Sequence, residues 1–247
     1  MEATEARDAA LLAEHLNESL RKLPGPAYYN VLNWIHQALQ PANYLEIGVQ
    51  RGTSLEQAER ETPCIGIDPS PNIEHELSPA VTIYALTSDQ FFERYDPSDL
   101  FGGPVELAFI DGLHLFEQVL VDFINVERHS SASTVVLLHD CLPLDEATAS
   151  RERTTDFYSG DVWKAAFALH RVRPDLEMTI VPTAPTGLCL VRGLRSDDTT
   201  LTEAFDEIEA TYRDFGFDYY LAHRDEMPQQ IANDEDSVRA WLASGAG

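Results

Sequence analysis

Tyr44-Leu45-Glu46-Ile47-Gly48-Val49-Gln50-Arg51-Gly52-Thr53-Ser54 runs from an apolar segment that ends beside a carboxylate, through two glycines spaced G-x-x-x-G, to a hydroxyl pair. Such a stretch reads as strand, loop and helix start, with the helix opening at Thr53 or Ser54. Gly48 and Gly52 carry no Cβ, so the backbone between them can approach a ligand closely. A dinucleotide loop would instead show G-x-G-x-x-G, with a glycine two residues after the first. Here position 50 is Gln, and Glu46 stands two residues before Gly48. A ligand with a positive pole and no phosphate suits this loop better.

Outward from that loop, apolar strand-like runs alternate with helical or loop segments, the pattern of a parallel sheet covered on both faces. Cys64–Asp68 reads as the second strand, Val81–Leu86 as the third, Leu107–Asp111 as the fourth and Thr134–Leu138 as the fifth. A helix is expected from Ser54 to about Arg60, and Thr87-Ser88-Asp89 offers the next helix a cap at Ser88 or Asp89. The helix after Asp111 places Leu115, Phe116, Val119, Leu120, Phe123 and Ile124 inward, with Glu117, Gln118 and Asp122 outside. Residues 143–160 are polar and turn-rich, which fits a lid, a substrate loop or a disordered segment. A helix follows from Gly160-Asp161 to about Val172, packing Trp163 and Phe167 on the sheet and leaving Lys164 solvated. Glu177–Val181 and Gly187–Val191 then read as two final strands joined by a Pro/Thr turn.

Before the sheet, residues 5–23 align Leu12, Leu16, Leu20 and Leu23 on one helical face, and a second helix carries Tyr28, Val31, Leu32, Ile35 and Leu39. After it come a helix near 201–214, an aromatic segment Phe215–Tyr220 and an acidic helical tail. The chain divides accordingly into N-terminal helices (1–40), a core (41–195) and a C-terminal helical extension (196–247).

The 247 residues hold 42 acidic against 17 basic side chains, a net charge of −25. A surface of that sign repels phosphate backbones and anionic lipid, so neither nucleic acid nor membrane is an expected partner. Cys64, Cys141 and Cys189 are too few and too scattered for a disulfide scaffold or a CxxC zinc site, and read as buried free thiols in a reducing compartment. No apolar run approaches ~18 residues and the acidic N-terminus lacks a signal-peptide pattern, so the cytoplasm is the expected location.

Four motifs stand in order: Glu46-Ile47-Gly48-x-x-x-Gly52, Ile65-Gly66-Ile67-Asp68, Phe109-Ile110-Asp111-Gly112-Leu113-His114 and Leu138-His139-Asp140. Together, over about residues 40–193, they resemble the class I S-adenosylmethionine (SAM)-dependent methyltransferases. The resemblance is to the bacterial small-molecule O-methyltransferases, similar to macrocin and other antibiotic-sugar enzymes and more distantly to catechol O-methyltransferase. It implies an α/β fold: a Rossmann-like sheet of seven strands, the last antiparallel, with helices on both faces and an N-terminal helical cover. It also implies SAM as cofactor, held by Glu46, Gly48, Gly52, Thr53, Ser54, Asp68, Ser88, Asp89 and Asp111, with Asp68 at the ribose and Ser88 or Asp89 at the adenine. The acceptor is expected to be a small hydroxylated molecule such as a sugar or natural product, and the terminal helices leave room for a homodimer.

Related enzymes hold a divalent cation through an acid after the fourth strand and an acidic pair after the fifth. Carried over, Asp111 and Asp140 are ligands, and His139 stands where the first acid of the pair is usual. Two carboxylates suit Mg²⁺, and an added imidazole shifts preference toward Mn²⁺, Fe²⁺ or Zn²⁺. His114, three residues after Asp111, is the candidate general base, with His139 its rival. Two other readings compete: a nicotinamide-dependent oxidoreductase on a Rossmann sheet, which the missing middle glycine disfavours, and a SAM-fold binding protein without catalysis.

Overall fold

The computed structural model describes residues 2–74, 76–78 and 80–245, the side chains of residues 2–6 excepted. Two helices lead, α1 (Glu2–Lys22) and α2 (Tyr28–Leu39). Strands β1 (Tyr44–Ile47), β2 (Cys64–Ile67) and β3 (Val81–Tyr84) follow, then the short helices α3 (Ser88–Arg94) and α4 (Pro97–Phe101). Strand β4 (Val105–Ile110), helix α5 (Phe116–Arg128), strand β5 (Ser130–His139) and helix α6 (Trp163–Val172) come next. The hairpin β6 (Glu177–Val181) and β7 (Leu188–Arg192) precedes α7 (Thr200–Tyr212), α8 (Phe217–His223) and α9 (Glu235–Ser244).

The seven strands form one sheet in the order β3-β2-β1-β4-β5-β7-β6. β7 runs antiparallel to both of its neighbours, and the five strands from β3 to β5 are parallel. The order reverses between β1 and β4. That is the switch point where the carboxyl ends of open α/β sheets leave a crevice for ligands. The strands were expected to be continuous apolar runs because both faces are covered, and β1, β2 and β7 are buried along their full length.

One apolar layer packs Phe116, Phe123, Trp163 and Phe167 against the sheet, and the other packs Tyr28, Val31, Leu32 and Ile35 with Val238 and Leu242. Each such fully buried side chain contributes about 1.5–3 kcal/mol. Both termini therefore share core with the sheet. The C-terminal segment also seals the β6 edge, since Ile180 donates to the Gln229 carbonyl and Ile231 to the Ile180 carbonyl, both at 3.0 Å.

Several local expectations fail for identifiable reasons. The β1 loop leads into a single 3₁₀ turn, Leu55–Gln57, instead of an α-helix to Arg60. Ser54 has no role as a cap there, because its hydroxyl donates to Glu46 at 2.5 Å. The cap of α3 is Thr87, which forms a reciprocal capping box with Gln90, in place of Ser88 or Asp89. Asp122 is buried, not outward, because Gln118 on the preceding turn donates to it at 3.1 Å. Lys164 is buried as well: it lies 3.0 Å from Asp161 and donates to the Arg213 carbonyl at 2.8 Å. The helix after Asp111 starts at Phe116, so His114 stands in the loop before it. The three cysteines are free and buried, and no described helix is long and apolar enough to cross a membrane.

Candidate active site

A cavity of about 1030 Å³ opens at the carboxyl edge of the sheet. Asp68, Asp111 and Asp140 each stand one residue past a strand, after β2, β4 and β5, so the sheet itself delivers three acids to this edge. All three line the cavity.

The β1 loop forms one wall. The Gly48 amide donates to the Ile67 carbonyl and the Asp111 amide to the Ile47 carbonyl, both at 2.8 Å, which carries the ladder past the strand ends. Gly48 has φ +90°, and a Cβ there would stand 2.0 Å from the Asp111 carbonyl oxygen. Asp68 ties the loop down: its Oδ2 accepts from the amides of Val49 (3.1 Å) and Gln50 (2.8 Å), and its Oδ1 from Ser70 (2.7 Å). Gln50 is held in the left-handed region at φ +45°.

Glu46 is fully buried beneath the loop, accepting from the Tyr44 hydroxyl at 2.7 Å and from Ser54 at 2.5 Å. Burial raises its carboxyl to about 8, against the lowering effect of those two hydroxyl bonds. Glu46 and Gly52 do not border the cavity, whereas Gly48, Thr53 and Ser54 do. Glu46 thus organises the loop from below. Ser88 and Asp89 line the far end, where Gln118 bonds Asp89 and Asp122 at 3.1 Å each. Burial raises Asp122 to about 6.

The acidic end gathers the remaining expected residues. Atoms of Asp111, His139 and Asp140 able to bind a metal lie within 4.8 Å of one another. His139 Nδ1 is 3.1 Å from Asp111 Oδ1 and 3.4 Å from Asp140 Oδ1. Burial disfavours the His139 imidazolium, but Asp111 and Asp140 outweigh it and hold the ring well above its ordinary value. Burial alone would raise Asp140, yet His114 and His139 pull it down. Asp140 adopts φ +61°, and Thr186 from the β6–β7 turn donates to its Oδ1 at 2.5 Å.

His114 faces the same acids. Its Nδ1 lies 2.9 Å from the Tyr158 carbonyl and 3.1 Å from Asp140 Oδ2, and its Nε2 lies 3.7 Å from Asp111 Oδ1. A carbonyl only accepts, so a bond to Tyr158 requires a proton on Nδ1, and in the neutral ring the lone pair then lies on Nε2. The Tyr158 ring stacks on His114 with an interplanar angle of 4°.

The 143–160 segment is anchored at both ends. Ser159 and Gly160 donate to the Thr148 carbonyl, and Arg151 pairs with Glu117 (2.5 and 3.0 Å) and Asp161 (2.7 Å). Gly160 has φ +57°, and a Cβ there would fall 1.9 Å from the His114 carbonyl oxygen.

Residue types and spacing did not mark Tyr28, Tyr29, Arg151, Arg153 or Tyr158 as cavity residues. The one available signal was two arginines in a polar loop of a chain so short of basic residues. Trp163 and Lys164, by contrast, are absent from the cavity lining.

Comparison with known proteins agrees with this arrangement. Residues 45–141 match a family model described as a methyltransferase domain. Among solved structures, cofactor-bound Rv0187 from MTB is similar at a TM-score of 0.53 and 17% identity, covering 74% of this chain and 89% of that one. The O-methyltransferase TomG from Streptomyces achromogenes, solved with SAM, gives 0.51 and 18% over 74% and 89%. SAH-bound PaMTH1, a methyltransferase from Podospora anserina, gives 0.50 and 16% over 78% and 96%. No curated protein sequence matches the chain. Residues 45–141 thus match a methyltransferase domain, and the chain carries them on a Rossmann-like, seven-stranded sheet similar to those of these solved structures.

Proposed function

We propose that this protein transfers a methyl group from SAM to a hydroxyl of a small polar acceptor, such as a sugar or natural-product hydroxyl, with a divalent cation assisting. One observation carries the reading. A single cavity joins the Gly48 loop and Asp68 to Asp111, His114, His139 and Asp140. Donor and acceptor must be held in line for such a displacement, and a shared cavity is what alignment requires.

The Gly48–Gln50 backbone and Asp68 hold the donor's ribose end, and Ser88 and Asp89 offer partners to its adenine edge. Tyr28, Tyr29 and the 143–160 segment cover the acceptor half and exclude water. His114, with its lone pair on Nε2, takes the acceptor proton, and the Tyr158 carbonyl fixes that tautomer. His139 is too enclosed for that role: it is 6% exposed and its ring lies against Tyr28, with centroids 4.4 Å apart.

Asp111, His139 and Asp140 fit a cation. Two carboxylates and an imidazole converge, His139 Nε2 is buried without a hydrogen-bond partner, and Asp140 Oδ2 is met by His114 Nδ1 at 3.1 Å. This mixed donor set favours Mn²⁺, Fe²⁺ or Zn²⁺ over Mg²⁺. When bound, the ion would lower the pKa of the acceptor hydroxyl.

The nicotinamide reading is not favoured, because Gln50 occupies the place of the middle glycine and residues 45–141 match a methyltransferase domain. Three buried free thiols accord with the cytoplasm. Leu16 and Leu20, exposed on α1, are the apolar surface that a homodimer would bury. The test is methyl transfer from labelled SAM to a panel of hydroxylated acceptors, with and without Mn²⁺. Transfer that Asp111→Ala abolishes supports the reading, and SAM binding without transfer to any acceptor would favour a non-catalytic binding protein.

A further inference from the structure

Three arginines border the cavity: Arg51 on the β1 loop, and Arg151 and Arg153 on the 143–160 segment. Two are neutralised within the protein. Arg151 is paired with Glu117 and Asp161, and Arg51 Nε lies 3.5 Å from Glu74. Arg153 differs. Its Nε and one terminal nitrogen reach only the backbone carbonyls of Thr155 (3.4 Å) and Asp156 (3.3 Å). Its guanidinium carbon stands 5.9 Å from the Tyr158 ring centre, and among the described residues no carboxylate pairs with it.

These contacts orient a planar fork of donors without cancelling its charge. The Tyr158 ring is also the one that stacks on His114. The same aromatic ring therefore neighbours both the unpaired cation and the group that takes the acceptor proton. The cavity is otherwise acidic, with Asp68, Asp89, Asp111, Asp140 and Asp156 in its lining, so Arg153 is the arginine there whose charge is left for an anionic acceptor. One local cation in an acidic cavity fixes orientation as well as affinity.

We propose that Arg153 binds a carboxylate of the acceptor, making the substrate a hydroxylated carboxylic acid whose hydroxyl end is directed to His114. Tyr28, Tyr29, Phe157 and Tyr158 line the same space, and a ring-bearing acid uses them together with Arg153. The inference rests on the methyltransferase reading and narrows its acceptor.

The test is calorimetric titration of the SAH-loaded protein with 3,4-dihydroxybenzoate and with its methyl ester, in wild type, Arg153→Gln and Arg153→Lys. Wild type should bind the acid at least ~10-fold more tightly than the ester, as expected for a charge-assisted bidentate pair. Arg153→Gln should bring the ratio close to one, and Arg153→Lys should keep part of it. Equal binding of acid and ester, a ratio unchanged in Arg153→Gln, or no binding of either ligand once SAH is bound would overturn the carboxylate assignment alone. Failure of SAH itself to bind would overturn the methyltransferase reading and this inference with it.

Discussion

A Cβ at position 48 would stand 2.0 Å from the Asp111 carbonyl oxygen, so Gly48 is what lets the β1 loop rest on the end of β4. The two halves of the cavity meet at this contact. The loop faces the donor side, Asp111 faces the acid cluster, and neither can shift without moving the other.

Gly48→Ala should therefore damage both halves at once. The left-handed backbone alone costs about 1–2 kcal/mol for a residue with a Cβ, and the collision with Asp111 adds to it. The expected result is a lower melting temperature together with weaker SAH binding, read by thermal denaturation with and without ligand.

Gln50 offers the converse case. It sits at φ +45° while its amide is held by Asp68. Gln50→Gly should remove the steric cost and keep the bond, raising stability by ~0.5–1 kcal/mol. Chemical denaturation checks this, and a loss of stability would mean that the Gln50 side chain itself supports the loop.

Glu46 gives a pH dependence with a definite sign. Its folded carboxyl lies at about 8 against an unfolded value near ~4.3. The folded state therefore holds its proton to higher pH, and stability is lost as pH rises from the unfolded value through about 8. Asp122, raised to about 6, adds to the loss at the lower end. Between pH 6.5 and 8.5, roughly, wild type should lose up to ~1.4 kcal/mol per pH unit. Glu46→Gln, which can still bond Tyr44 and Ser54, should flatten that slope.

Asp161 anchors the loop over the acceptor half. It is buried and accepts from Arg151, Lys164 and the Phe116 amide at 2.7, 3.0 and 3.0 Å. Asp161→Asn leaves Lys164 charged in a buried site, at a cost of ~3–5 kcal/mol. The urea midpoint should fall accordingly, and Lys164→Met in the same background should restore part of it.

Much of the framework was legible in the sequence because strand ends are local events. Asp68, Asp111 and Asp140 close apolar runs, and a parallel sheet must place those ends on one edge. The two closing strands were legible for the same reason, whereas the antiparallel run of β7 came from the family resemblance. What escaped depends on contacts distant in the chain. The Tyr158 carbonyl meets His114 across 44 positions, and Arg151 meets Glu117 across 34. Neither pair leaves a periodic signal. The helix expected from Ser54 failed because Ser54 bonds Glu46 eight residues back, and Asp122 was misplaced because polarity was taken for exposure.

His114→Gln separates chemistry from binding. Removing the proton acceptor should lower kcat by ~10²–10⁴-fold while SAH affinity holds, because His114 faces the acid cluster and not the β1 loop. Single-turnover methyl transfer and SAH titration, run on the same preparation, read the two quantities.

The most direct measurement is calorimetric titration of the metal-stripped protein with SAM, in wild type and in Asp68→Ala. Saturable one-to-one binding, weakened at least ~10-fold by Asp68→Ala, is the predicted result. The absence of SAM binding with or without Mn²⁺ would contradict the assignment of this cavity to a methyl donor.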